Sequence, residues 1–353
     1  MSTDTLTADL STSKSVPDLL MARSDYVSED DRVNSESRIG PGEGSHDHPL
    51  GDSVSASSSK PTSFKSTAID LVQLTKPRIV TMILVTTVAS ASIAAGGLIP
   101  MTEMAWLLLG TGMVAASAGA ANQIWERAID CHMPRTAVRP LPDKRMNVFA
   151  AAIYTAFLGI VGTAILYFVF DAKPAIAGVT TWLLYVLVYT PMKTRTSFNT
   201  TVGAIAGALP VMIGYTAAGG GHIDATGWLL FGILAAWQYP HFMAIAWLYR
   251  RQYAAAGFCM STTVDPSGKS AGWQSIAGSF AILACGLALC MIPEGVVGGI
   301  IASIAVASVC YPMLRASLHF FASPDDLMAR KLLRSSLLVL PAILIVVTIR
   351  SLA

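Results

Sequence analysis

Charged side chains are scarce in this sequence. Only 13% of its 353 residues are Asp, Glu, Lys or Arg, about half the roughly 25% of a soluble globular domain. With a mean hydropathy of +0.55, that scarcity excludes an ordinary water-soluble fold. Cysteine is sparse as well. Cys131, Cys259, Cys285, Cys290 and Cys310 show no CxxC or paired spacing, so neither a zinc site nor a disulfide framework is expected. Three of them lie in apolar runs, where cysteine serves as a small apolar side chain. The N-terminus has no basic segment followed by an apolar core, so a cleaved signal peptide is not expected. Nothing points to nucleic acid.

What is present is membrane-like. Nine apolar stretches fall at about 79–99, 104–125, 148–170, 174–192, 200–218, 227–248, 273–292, 295–313 and 334–352. Each is near the ~20 residues a helix needs to cross the hydrocarbon core. The expected fold is all-α, a polytopic membrane helix bundle. The 295–313 stretch is set apart by a very short connection at Pro293 and Glu294. Residues 1–66 are different: they carry 11 acidic and 6 basic side chains, are rich in Ser, Asp, Thr and Gly, and read as a disordered tail before a membrane domain at 67–353. His46 and His48 in that tail read as solvated rather than as metal ligands.

Charge also sorts by side. Were the N-terminus cytoplasmic, the loops on that side would hold 17 lysines and arginines from Lys65 onward, Arg315, Arg330, Lys331 and Arg334 among them. The other side would hold Lys173 and Arg350 alone. That bias fits the positive-inside rule with an odd number of spans and a C-terminus on the opposite side. It gathers the polar chemistry at one face.

At that face lies Asn122 to Pro142, NQIWERAIDCHMPRTAVRPLP. Asn122, Glu126 and Asp130 recur every four residues and therefore stack along one helical stripe. Carboxylates at the end of a membrane helix are costly unless they bind something. Arg135, Arg139, Lys144 and Arg145 follow closely, and carboxylates beside guanidinium groups suggest a divalent cation holding a phosphate-bearing substrate. Singly, each feature also reads as a solvated helix end or a topology signal. A second polar loop, Tyr189 to Asn199, carries Lys193 and Arg195, which face either lipid phosphates or a diphosphate. Pro77 suits a helix start beside Lys76 and Arg78. Within an apolar run, Gln238 and His241 flank Pro240, next to Trp237, Tyr239 and Phe242. Pro240 predicts a kink towards a cavity. Such a histidine serves either a ligand cavity or helix–helix hydrogen bonding.

The motifs N-x-x-x-[DE]-x-x-x-D and M-x-R-T-x-x-R-P-L resemble the first acidic motif of the UbiA-type intramembrane prenyltransferases. So do T-K-P-R at 75–78 and Y-T-x-x-K-x-R-T at 189–196 with Asn199. W-Q-x-P-H-F at 237–242 and Gly257 to Met260 are similar to the branch that farnesylates protohaem. The resemblance spans about 70–352. It implies nine transmembrane helices around a central cavity capped by cytoplasmic polar loops, in the cell (inner) membrane. It implies farnesyl diphosphate and haem B as substrates, Mg²⁺ as cofactor, and the company of other enzymes that modify haem for terminal oxidases. By position, Asn122, Glu126 and Asp130 would hold Mg²⁺. Lys76, Arg135, Arg139, Lys193 and Arg195 would neutralise the diphosphate, and Arg78, Tyr189, Asn199, Trp237 and Gln238 fall in the same substrate-binding motifs. His241 would position haem or activate water. Glu126 stands where many members have Asp, and Gln252 where an acid is common, which puts a second metal in doubt. His132 receives no role. Rival readings are a quinone-precursor or chlorin prenyltransferase, a transporter, and a non-catalytic haem carrier. A transporter predicts ionisable groups at mid-membrane or on both faces, unlike the one-sided clustering here.

Overall fold

The computed structural model describes residues 64–219 and 223–353. The expected tail lies outside them except for residues 64–66, which already belong to a helix; His46 and His48 lie outside as well. That first helix, α1 (Phe64–Leu74), is too short to span a bilayer and was not expected from hydropathy. Nine helices long and apolar enough to cross a membrane follow among the described residues. They are α2 (Pro77–Ala95), α3 (Met101–Asp130), α4 (Val148–Val169), α5 (Ala172–Met192), α6 (Asn199–Ala218), α7 (Ala225–Leu248), α8 (Lys269–Met291), α9 (Val296–Ala322) and α10 (Asp326–Leu352). No strand occurs among the described residues.

The nine spans match the nine apolar stretches, but several run further. α3 continues past its apolar run to Asp130, because the carboxylates of its last turns find cationic partners. α9 and α10 are each longer than expected, and only Ser323, Pro324 and Asp325 separate them. The Asp325 carboxylate accepts from the Met328 N–H and caps α10. Arg315, Arg330, Lys331 and Arg334, expected in a loop, therefore lie on helices: an apolar run ends at the membrane boundary, but its helix need not.

Each span packs on the next in sequence, and α10 closes the ring on α2. Small residues allow the closest approaches. A Cβ at Gly162 on α4 would lie 2.8 Å from the Gly110 carbonyl oxygen on α3. α7 is a continuous helix through Pro240, and Gly278 on α8 admits the proline ring, whose Cδ would stand 2.8 Å from a Cβ there. An apolar groove of about 1080 Å³ opens between α3, α4 and α5, with Trp125 and Arg127 at one end. None of the candidate site residues lines it.

Candidate active site at the charged end of the bundle

The site starts where α1 ends. The Gln123 side chain on α3 donates to the Gln73 and Leu74 carbonyl oxygens at 3.1 and 2.9 Å, satisfying groups that a helix C-terminus leaves open. The chain then passes through Lys76 at φ 54°, ψ 60°, a left-handed conformation uncommon outside glycine. Gly119 permits the approach, since a Cβ there would sit 3.2 Å from the Thr75 carbonyl oxygen. The outcome is that the Lys76 ammonium donates to Asn122 Oδ1, one turn further along α3.

The rest of the stripe is clasped in the same way. Asn122, Glu126 and Asp130 are all buried. Lys193 Nζ, from the loop after α5, is 2.7 Å from Glu126 Oε1. Arg139 Nη1, from the loop after α3, is 2.7 Å from Asp130 Oδ2. Three cations from three separate connections thus meet one helical stripe. Burial pushes the Lys76 ammonium below the ordinary lysine value, and Lys193 and Arg139 add to that push against Tyr185 and Glu126. For Lys193, burial acts downward too, but the Glu126 carboxylate, then Tyr189 and Tyr185, outweigh it and hold its pKa above the ordinary value.

Local structure explains how Lys193 arrives there. The last part of α5, Leu184–Tyr189, is a π-helical turn, a local widening frequent at functional sites. It brings the Tyr189 ring to 4.6 Å beneath Lys193 Nζ, against Gly203 of α6, where a Cβ would come within 2.7 Å of the ring. Gly257, at φ 75°, turns the chain so that the Cys259 N–H donates to the Lys193 carbonyl oxygen at 2.7 Å. Asn199 Nδ2 donates to the Cys259 and Thr196 carbonyl oxygens at 2.9 and 2.6 Å. Asn199 is therefore a brace of the lysine loop.

Other candidate residues stand apart from this cluster. Arg78, Arg135 and Arg195 are exposed; Arg135 lies over the Tyr249 ring at 5.0 Å. Arg145 is committed to Asp70 of α1 and to Asp143. On α7, Gln238 Nε2 donates to the Ala204 and Leu234 carbonyl oxygens. His241 stacks on Trp237 with centroids 4.6 Å apart, and its Nδ1 is 3.0 Å from Ser336 Oγ on α10. Trp237 Nε1 donates to the Ser336 carbonyl oxygen at 2.6 Å. Gln238 and His241 thus turn to different neighbours, α6 and α10. Sequence reasoning passed over Asp70 and Tyr249. Thr190 stood in the Y-T-x-x-K-x-R-T motif but received no role of its own, since a threonine in an apolar helix ordinarily bonds its own backbone.

The donor set decides which metal could sit here. Among the described residues no group of three or more His, Cys, Asp or Glu is arranged to hold a metal. The stripe offers two carboxylates and an amide oxygen, and Asp130 Oδ1 is buried without a hydrogen-bond partner. Such an orphaned acceptor suits a hard cation held by one or two carboxylates plus phosphate oxygens, the usual arrangement for Mg²⁺.

Residues 83–338 match the model of the UbiA prenyltransferase family. The chain is 58% identical over 285 residues to a protoheme IX farnesyltransferase of Rhodopirellula baltica, covering 80% of this chain and 99% of that protein. It is 34% identical over 274 residues to a protoheme IX farnesyltransferase of Salinibacter ruber, covering 78% and 95%. Among solved structures, a digeranylgeranylglyceryl phosphate synthase superposes with a TM-score of 0.65 at 14% identity, covering 81% of this chain and 98% of that one. A UbiA homologue from Archaeoglobus fulgidus bound to DMAPP and Mg²⁺ superposes with a TM-score of 0.57 at 15% identity, covering 79% and 99%. At those identities the structures show a shared fold, while the match to the family model and the relatives' identities carry kinship: the chain is an integral membrane protein and belongs to the UbiA prenyltransferase family.

Proposed function

We propose that this chain transfers the farnesyl group of farnesyl diphosphate to a vinyl group of haem B, giving haem O and diphosphate. The observation that carries the reading is the α3 stripe clasped by Lys76, Lys193 and Arg139. A quinone-ring or chlorin acceptor is disfavoured by the 58% and 34% identities to protoheme IX farnesyltransferases.

Asn122, Glu126 and Asp130 would hold Mg²⁺, which supplies positive charge to the departing diphosphate. The chain's own cations do the rest. Three cations face two carboxylates on the stripe, so the cluster has one positive charge in excess and accepts a magnesium diphosphate of net negative charge. Lys76, Lys193 and Arg139 exchange their α3 partners for diphosphate oxygens as substrate enters. They stabilise the charge that builds as the farnesyl C1–O bond breaks and diphosphate leaves with the electron pair. The vinyl carbon attacks C1 to form the new C–C bond. Water then captures the porphyrin-side cation and loses a proton, leaving a hydroxyethyl group. The stacked Trp237–His241 pair is the element of α7 we assign to the haem side, and Tyr189 shields the allylic cation from water through its ring face.

Residues 67–353 form the transferase unit on this reading. The lysine and arginine bias supports a charged end at the cytoplasmic face of the cell membrane, and haem O would pass to enzymes that modify it further for terminal oxidases. The test is incubation of membranes containing the wild-type or Asp130→Ala chain with farnesyl diphosphate, haem B and Mg²⁺. Haem O by mass spectrometry in the wild type and its loss in the variant are expected. Undiminished product in the variant would overturn the site.

A further inference from the structure

The geometry points to Thr190 as a positioning residue: its hydroxyl fixes which end of the Asn122 carboxamide faces the site. This rests on the reading of Asn122 as a metal-side ligand and adds to it.

An asparagine at this position can turn either its oxygen or its NH₂ towards the cations, and only the oxygen can serve a metal. Two neighbours settle the choice independently. Lys76 has only donors, so it requires the Asn122 oxygen. On the other side, Asn122 Nδ2 lies 3.1 Å from Thr190 Oγ1, while Thr190 Oγ1 donates its single hydrogen to the Tyr185 carbonyl oxygen at 2.8 Å. With that hydrogen committed, the hydroxyl can only accept, and it demands the Asn122 NH₂.

The π turn creates the anchor. The Thr190 N–H also reaches the Tyr185 carbonyl oxygen, five residues back, so both donors of Thr190 close on one acceptor. Thr190 is buried at 2% exposure and Asn122 at 0%, so no bulk water replaces the lost partner when the hydroxyl is removed. The chain Tyr185 carbonyl, Thr190 hydroxyl and Asn122 amide thus runs from a backbone irregularity in α5 to the first member of the α3 stripe. Lys76 moves off to diphosphate when substrate binds, and from that moment Thr190, together with the Glu126 carboxylate that also takes a side-chain hydrogen bond from Asn122, keeps the Asn122 oxygen turned towards the metal.

Partners of this outer kind set metal affinity by about 10–100-fold when removed. The experiment measures Mn²⁺ binding by electron paramagnetic resonance, with inorganic diphosphate present, in detergent-solubilised protein. Thr190→Val keeps the shape and loses the hydroxyl; its Mn²⁺ affinity is expected to fall by about tenfold. Thr190→Ser is expected to restore it. In turnover, Thr190→Val should raise the Mg²⁺ concentration for half-activity and leave kcat at saturating Mg²⁺ near the wild-type value, a split that a merely structural residue would not produce. In the Asn122→Ala background, Thr190→Val should add nothing. Unchanged Mn²⁺ affinity in Thr190→Val beside a loss in Asn122→Ala would overturn the positioning role and leave the site intact. Unchanged affinity in Asn122→Ala itself would overturn the site reading. Should Thr190→Val fail to fold, the serine variant decides: affinity well below wild type with its hydroxyl retained would contradict the proposal.

Discussion

Two polar clusters inside apolar helices look alike in the sequence and differ in the structure. On α3, the side chains of Asn122, Glu126 and Asp130 are met by cations from three connections, and one carboxylate oxygen is left without a partner. On α7, Gln238 donates its Nε2 hydrogens to two backbone carbonyls, and His241 closes on a serine of α10. The first cluster holds charge in excess and an unfilled acceptor. The second is neutral and spends its hydrogen bonds on helix packing. Polarity within a membrane helix therefore does not by itself distinguish the two clusters; charge imbalance with an orphaned oxygen does.

Breaking the ion pair at the centre of the α3 cluster should show the largest effect. Lys193→Met strands the buried Glu126 carboxylate and should cost about 3–5 kcal/mol, read as a lowered unfolding temperature in detergent. Adding Glu126→Gln should recover most of that stability and none of the activity. Next, Asp130→Ala should lower haem O formation by about 10²–10³-fold, the scale for losing one electrostatic contact at a developing charge.

pH sharpens the contrast further. Burial lowers the Lys76 pKa, so its charge is lost below the ordinary lysine range while Lys193, held above that range, stays charged. Diphosphate binding should weaken as pH rises through the Lys76 value. Stability should move the other way in that window, because the unfolded chain keeps a proton there that the folded chain has released. Lys76→Arg should shift the alkaline fall of farnesyl diphosphate affinity to higher pH; an unmoved profile would assign that limb elsewhere. The smallest effect belongs to α7. Gln238→Leu should cost about 0.6 kcal/mol of stability, typical of a hydrogen bond between membrane helices, with the Mg²⁺ requirement unchanged. A raised Mg²⁺ requirement would join the two clusters into one.

Hydropathy alone located the nine spans, and four-residue spacing alone put Asn122, Glu126 and Asp130 on one stripe. Which cation meets which oxygen was not legible. The Lys76–Asn122 contact depends on a left-handed lysine and on the absence of a side chain at Gly119, neither of which a periodicity reveals. Arg145 looked like the other arginines of its loop, but Asp70 on α1 claims it, and α1 is too short to register as a span. The π turn at Leu184–Tyr189 has no periodic signature, so the contact of Thr190 with Asn122 stayed hidden with it. Helix ends were misjudged wherever the apolar run stopped before the hydrogen bonding did, as at Ala322 and Asp326.

The central claim is that the α3 stripe and its three cations together hold a magnesium diphosphate. Titration of Mn²⁺ into the solubilised chain, with and without inorganic diphosphate, tests it without any turnover. Tight binding that requires diphosphate, and that disappears in Glu126→Gln/Asp130→Asn, is the predicted result. Equal Mn²⁺ binding in that double variant would contradict it.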